Sequence, residues 1–209
     1  PIVEIMFGDF TTLAFDQIIN HGAKFSWMFN EQVALPIIIR TPMGGRRGYG
    51  PTHSQSIEKH FCGIPDVTVF ALDQYTSPKT LYGAAFRKKT PCLMIENKVL
   101  YAKPLESRDS LDRYEKPDAI IISYGGAVEH CVKAAEILAE EELQVEVHPI
   151  NQLSPFPVEE VQALASRCRN FLVVEEGSPG WGFAGECARS LINKQVRFSS
   201  LCGPDHPIP

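Results

Sequence analysis

Apolar positions along the chain come in short blocks, alternating between strand-like runs and helix-like spacings, with glycine and proline between them. Pro1-Ile-Val-Glu-Ile-Met-Phe7 reads as a strand that begins at once. Phe10 to Asn20 carries Leu13, Phe15, Ile18 and Ile19 at helical spacing, with Thr11 or Thr12 available as a cap. The aromatic cluster Phe25, Trp27, Met28 and Phe29 is expected to pack rather than to bind a ligand. Pro36-Ile-Ile-Ile-Arg40 is the next strand. A glycine-rich loop follows, from which His53 emerges at the start of a predicted helix running from Ser54 to about Phe61. Val67 to Leu72 and Pro91 to Glu96 read as buried strands, separated by a helix that Ser77-Pro78 opens and that runs to about Lys88.

The pattern fades between Lys103 and Pro117, a charged, proline-bounded stretch that we read as an inter-domain connection. It then resumes as strand, turn and helix. Asp118 to Tyr124 is a strand, Gly125-Gly126 the turn, and Val128 to Glu142 a helix. Leu143 to His148, Asn170 to Glu175 and Gln195 to Ser199 are further strands. Helices from Pro157 to about Arg167 and from Gly182 to about Ile192 lie between them. This order predicts an α/β fold with mainly parallel sheets and helices on both faces. Residues 1–102 would form one domain, 103–117 the linker and 118–209 a second domain.

Composition narrows the function classes. At 44% apolar and 22% charged, the chain can build a real core. The net charge of −5, without a basic stripe, argues against nucleic acid as the main partner. No apolar run approaches the length of a membrane span. Six cysteines are scattered without a CxxC pair or metal-ligand spacing, as expected of free thiols in a reducing compartment. The chain opens inside a strand and closes in a loop, so both ends are expected to be cut.

Sequence motifs for a dinucleotide fingerprint, a phosphate loop and a zinc pair are absent. The glycines of Gly180-Trp-Gly-Phe-Ala-Gly185 precede a helix and suit either an anion or tight helix–sheet packing. Glu175-Glu176 at a strand end suits either cofactor orientation or a solvated loop. His53 is the strongest chemical candidate, because imidazole moves a proton near neutral pH and, protonated, binds an anion.

Met6-Phe-Gly-Asp-Phe10, Ala14 to Asn20, Pro36 to Pro42 and Thr52-His-Ser-Gln55 together carry a likeness. It continues through Gly63-Ile-Pro-Asp-Val67, Pro91 to Asn97, Gly125-Gly126 and Glu175-Glu-Gly177. The chain resembles the beta subunit of thiamine-diphosphate-dependent 2-oxo acid dehydrogenases, the decarboxylating components of the pyruvate, branched-chain and acetoin complexes, cut at both ends. The resemblance implies a partial pyrimidine-binding domain followed by a transketolase C-terminal-type domain. It implies thiamine diphosphate bound between subunits, with the diphosphate and Mg²⁺ held by an alpha subunit, so that this chain itself supplies no metal ligand. By the same likeness Met6 and Phe10 line the aminopyrimidine pocket, and His53 stands in the substrate channel.

The implied partners are an alpha subunit and a second beta chain in a heterotetramer, a lipoyl acyltransferase core, and a 2-oxo acid such as pyruvate. The implied reaction is oxidative decarboxylation with acyl transfer to lipoamide, in a bacterial cytoplasm or an organelle matrix. Two departures qualify it. The family's catalytic glutamate lies upstream of the Met6 strand and Glu4 cannot replace it, so the isolated chain is expected to be inactive. Arg87-Lys88-Lys89 stands where many members carry an acidic cation loop, so no potassium site is expected. Arg46 and Arg47 would meet substrate carboxylate, a partner, or solvent. The alternative reading is a truncated homologue without chemistry, acting as a binding or assembly module.

Overall fold

Continuous β-branched and apolar runs make poor surface strands and good central ones, and the computed structural model, which describes residues 1–209, places them so. The first sheet contains β1 (Ile2–Glu4), β2 (Ile38–Met43), β3 (Thr68–Ala71) and β4 (Cys92–Asn97). Its order is β1-β2-β4-β3, all parallel, with β3 and β4 buried along their whole length. The second sheet contains β5 (Ala119–Ser123), β6 (Val145–Pro149), β8 (Asn170–Val174) and β9 (Arg197–Leu201), ordered β6-β5-β8-β9 and wholly parallel. Helices α2 (Pro78–Phe86), α3 (Val128–Ala139), α4 (Val158–Leu164) and α5 (Phe183–Leu191) connect the strands, as the sequence predicts. Ser77 precedes α2 but makes no capping hydrogen bond.

A strand that periodicity misses joins the two halves. β7 (Gln152–Ser154) comes from the second half, yet it pairs antiparallel with β3 at the edge of the first sheet. Three residues are too few to show alternation. The main core is shared as well. Ile39, Phe61, Val69 and Leu93 of the first half pack in one cluster with Ile120, Val173, Phe183 and Leu191 of the second. The connection between the halves is itself engaged, with Leu111 buried and Arg108 donating to Thr76 Oγ1 (2.9 Å) and the Pro149 carbonyl (3.0 Å). All six cysteines are free, four of them buried. No helix is long and apolar enough to cross a membrane.

Three local readings change. Phe10–Asn20 is not one α-helix but a 3-10 helix, Gly8–Ala14, followed by a π-helix, Gln17–Ala23. Thr11 and Thr12 bond back to the Gly8 and Asp9 carbonyls (2.6 and 2.8 Å) instead of capping, the local competition that unsettles regular helix. The aromatic cluster on α1 (Phe25–Met28) stays at the surface, with Trp27 and Met28 exposed and the Trp27 indole donating to Asp66 (2.5 Å). The helix expected from Ser54 shrinks to one 3-10 turn, Glu58–His60. Tertiary partners take its backbone groups: Gln55 N–H donates to Asp9 (3.4 Å) and Gln55 C=O accepts from Gly44 N–H (3.3 Å).

Candidate functional site at the ends of the first sheet

The strands β1, β2 and β4 end on one edge, and the residues that follow them form an aromatic corner. Phe7 and Phe10 come from the turn after β1, Tyr49 and His53 from the glycine loop after β2, and Lys98 from the turn after β4. The His53 ring stands perpendicular to Phe7 (4.6 Å between centres, 87°) and nearly so to Phe10 (5.1 Å, 77°). Tyr49 meets Phe7 edge-on at 5.6 Å. Thr52 Oγ1 lies 2.8 Å from His53 Nδ1, which fixes the imidazole's second contact. Of the three residues expected at the site, Phe10 and His53 therefore meet. Met6 stands beside them in the chain and is 68% exposed.

The Lys98 ammonium sits 3.5 Å from the centre of the Phe7 ring and 5.1 Å from that of Tyr49. Asp9, the nearby acid, turns to the Gln55 amide; burial raises its carboxyl pKa, and the Gln55 N–H and His53 only partly offset this. Gln55 also clasps the C-terminal segment, donating to the Ile208 carbonyl (2.9 Å) and accepting from its N–H (3.1 Å).

Behind the corner the two halves are latched. Arg46 Nη2 donates to Glu176 Oε1 (3.1 Å) and to the Gly126 carbonyl (3.3 Å), while Nη1 contacts His130 Nε2. Asn97 Nδ2 donates to the other Glu176 oxygen (3.0 Å). Gly44, at φ +95°, lets the loop pass; a Cβ there would sit 2.6 Å from Asn97 Nδ2 and 2.8 Å from Glu176 Oε2. Arg46 is thus a structural cation rather than a free one, and Arg47 donates to the Lys98 carbonyl.

The second sheet's strand ends hold no open anion site. Both Glu175 oxygens accept from the first amides of α5, Phe183 N–H and Ala184 N–H, each at 3.1 Å. The helix N-terminus that the glycines prepare is occupied by the chain's own carboxylate, and Gly182 leaves room for it. Neither Glu175 nor Glu176 belongs to a solvated loop.

Glu58, which sequence reasoning passed over, is 4% exposed and accepts from the Tyr124 hydroxyl across the domain boundary. Burial pushes its carboxyl up to about 7, against the Tyr124 hydrogen bond and with help from Glu176 and Glu175. It lines an inter-domain cleft of about 990 Å³ with Cys62, Phe156, Phe183 and Trp181. No group of three His, Cys, Asp or Glu side chains is arranged to hold a metal ion.

Comparison with known proteins decides the family. The transketolase pyrimidine binding domain matches residues 1–104, and the transketolase C-terminal domain matches residues 111–209. The chain belongs to the transketolase family. Similar proteins include the mitochondrial pyruvate dehydrogenase E1 component subunit beta-1 of Arabidopsis thaliana, 30% identical over all of this chain and 62% of that protein. The acetoin:2,6-dichlorophenolindophenol oxidoreductase subunit beta of Cupriavidus necator is 29% identical, with all of this chain and 66% of that protein covered. The human mitochondrial pyruvate dehydrogenase E1 component subunit beta is 28% identical, with 100% and 64% covered. The chain thus spans less than two thirds of each of these relatives. Among solved structures, a split gene transketolase described as an inactive beta4 tetramer shares the fold, at a TM-score of 0.74 and 18% identity. That match covers 98% of this chain and 67% of the other.

Proposed function

We propose that this transketolase-family chain acts as a beta-type subunit of a 2-oxo acid dehydrogenase, completing a thiamine diphosphate site shared with an alpha subunit. The observation that carries the reading is the meeting of Phe10 and His53 in one aromatic corner at the strand ends. Phe7 and Phe10 offer flat apolar walls that fit an aminopyrimidine ring, with Met6 at the edge of the pocket. Such walls lower the local dielectric and favour the ring's neutral form. When bound, thiamine diphosphate supplies the nucleophilic carbon that adds to an oxo group. A partner subunit would hold its diphosphate and Mg²⁺.

His53 donates to the substrate oxo oxygen or to the acyl group on its way to a lipoyl arm. Residues 1–102 would form the pyrimidine domain, 103–117 the linker and 118–209 the C-terminal domain. The 209-residue chain on its own is inactive in this reading, because Glu4 cannot serve as the activating glutamate. It lies within β1, and its carboxylate is paired with Arg40 at 2.8 Å.

The test is to isolate the natural assembly and follow pyruvate-dependent ferricyanide reduction with added thiamine diphosphate. An alpha-type partner should co-purify, and His53→Ala should lower turnover by about 10²-fold or more, the usual worth of a positioned acid–base group. An assembly with no partner and no turnover on pyruvate or branched-chain 2-oxo acids would overturn the proposal. It would favour an assembly module instead, a reading that the exposed Leu13, Trp27, Met28 and Phe29 support.

A further inference from the structure

One cation at the aromatic corner has no internal partner. Arg40 pairs with Glu4 and Glu96, Arg46 with Glu176, and Lys103 with Glu129, while Lys59 donates to Ser178 and Gly180. Arg47 donates to the backbone of Lys98 itself. The Lys98 ammonium has no carboxylate within the 4.0 Å of an ion pair, and none of its three N–H groups donates to a protein acceptor.

Its position is nonetheless fixed. The turn Lys98–Leu100 is capped by Asn97, which accepts from Val99 N–H at 3.1 Å, and the ammonium rests over Phe7 with Tyr49 beyond. Ring faces hold a cation by about 0.5–2 kcal/mol without using its donors. The same Phe7 ring meets His53, so a directed positive charge and an imidazole both pack on one phenyl group.

We propose that Lys98 is a specificity-determining residue that binds the carboxylate of a small 2-oxo acid while His53 faces the oxo end. This deepens the function proposed above and rests on it. A carboxylate is the better occupant than a phosphate group. Phosphates are held by several donors together, arginine forks, lysines and free amides at helix N-termini among them. Here Arg46 is bound to Glu176 and the α5 amides to Glu175, which leaves a single ammonium at this corner. A single ammonium beside aromatic walls suits one small organic anion.

The test uses the natural assembly and its Lys98→Met and Lys98→Arg variants. Steady-state rates are measured with pyruvate and with acetaldehyde, which lacks the carboxylate. Pyruvate binding is read separately, from saturation transfer to its methyl protons, with inorganic pyrophosphate as the competing anion. In Lys98→Met the preference for pyruvate over acetaldehyde in kcat/KM should fall by about 30-fold or more, carried by KM, the scale of a charge-assisted hydrogen bond. The methyl signal should vanish with it, and Lys98→Arg should restore part of both.

An unchanged preference in a folded, active Lys98→Met assembly overturns this inference and leaves the proposed function standing. Loss of pyrophosphate binding with pyruvate binding retained also overturns it, assigning Lys98 to a diphosphate. If the wild-type assembly turns over no 2-oxo acid, the proposed function fails, and the binding experiment alone decides whether Lys98 holds a carboxylate.

Discussion

Glu58 offers a direct check on how the two halves are joined. It leaves the 3-10 turn of the first half and buries its carboxyl against Tyr124 at the end of β5, with Glu175, Glu176 and Cys62 also facing it. Its pKa rises from the ordinary 4.5 to about 7, through burial first. A raised acid binds its proton more tightly in the folded state, so its contribution to stability is whole below about pH 4.5. That contribution is lost as pH climbs to about 7, and nothing further changes above that. Each tenfold change in proton affinity is about 1.4 kcal/mol, which makes the whole effect roughly 3 kcal/mol and the part between about pH 5 and pH 8 roughly 2–3 kcal/mol. Urea unfolding of the wild type and of Glu58→Gln at those two pH values reads it. The amide keeps the shape and can still accept from Tyr124, but it cannot ionise. The wild type should lose roughly 2–3 kcal/mol more than the variant between the two conditions. Equal losses would show that Glu58 is not a buried acid at the domain boundary, and would refute the reasoning.

Two further perturbations probe the same region. Arg46→Ala removes the donor to Glu176 and to the Gly126 carbonyl; as the pair is partly exposed, the cost should be about 1–2 kcal/mol by urea unfolding, with faster proteolysis in the glycine loop. Gln55→Leu breaks both hydrogen bonds to Ile208, so amide exchange at Ile208 should accelerate by about tenfold or more while β4 amides stay protected.

Burial decided which parts were legible in the sequence. Val67–Leu72 and Asp118–Tyr124 are dominated by β-branched and apolar residues, and they fold as buried strands where local pattern and tertiary demand agree. Gln152–Ser154 is too short to announce itself, and it becomes a strand only because β3 offers an open edge. The expected helix after Ser54 fails for the converse reason, since Asp9 and Gly44 claim the backbone of Gln55. At the site, Phe10 and His53 came from motifs shared with a known family, and Phe7 lies inside the first of them, but Tyr49 and Glu58 are tied in by contacts across long sequence separations, to Phe7 and Tyr124. Lys98 did leave a signal: it is the first residue past a buried parallel strand, the position where open α/β sheets place ligand contacts.

The same geometry explains why the chemistry gathers on the first half. Parallel sheets carry their functional loops at the C-terminal strand ends, and in this chain those two edges face each other. Arg46, after β2, and Asn97, the last residue of β4, reach residues after β5 and β8 (Gly126 and Glu176), and each sheet's edge becomes part of the other's wall. The acids at the second sheet's strand ends are already partnered, Glu176 by Arg46 and Asn97 of the first half and Glu175 by α5. What stays outside the latch is the corner after β1, with its aromatic rings, one imidazole and one unpaired ammonium. That composition is what the proposed function asks for, apolar walls for a flat ring and a cation for a small anion. Separating the halves would expose Glu58, Glu175 and Glu176 to water and loosen the loop that carries His53. One loop, residues 44–55, therefore carries both His53 and the Arg46 contacts that dock the two halves.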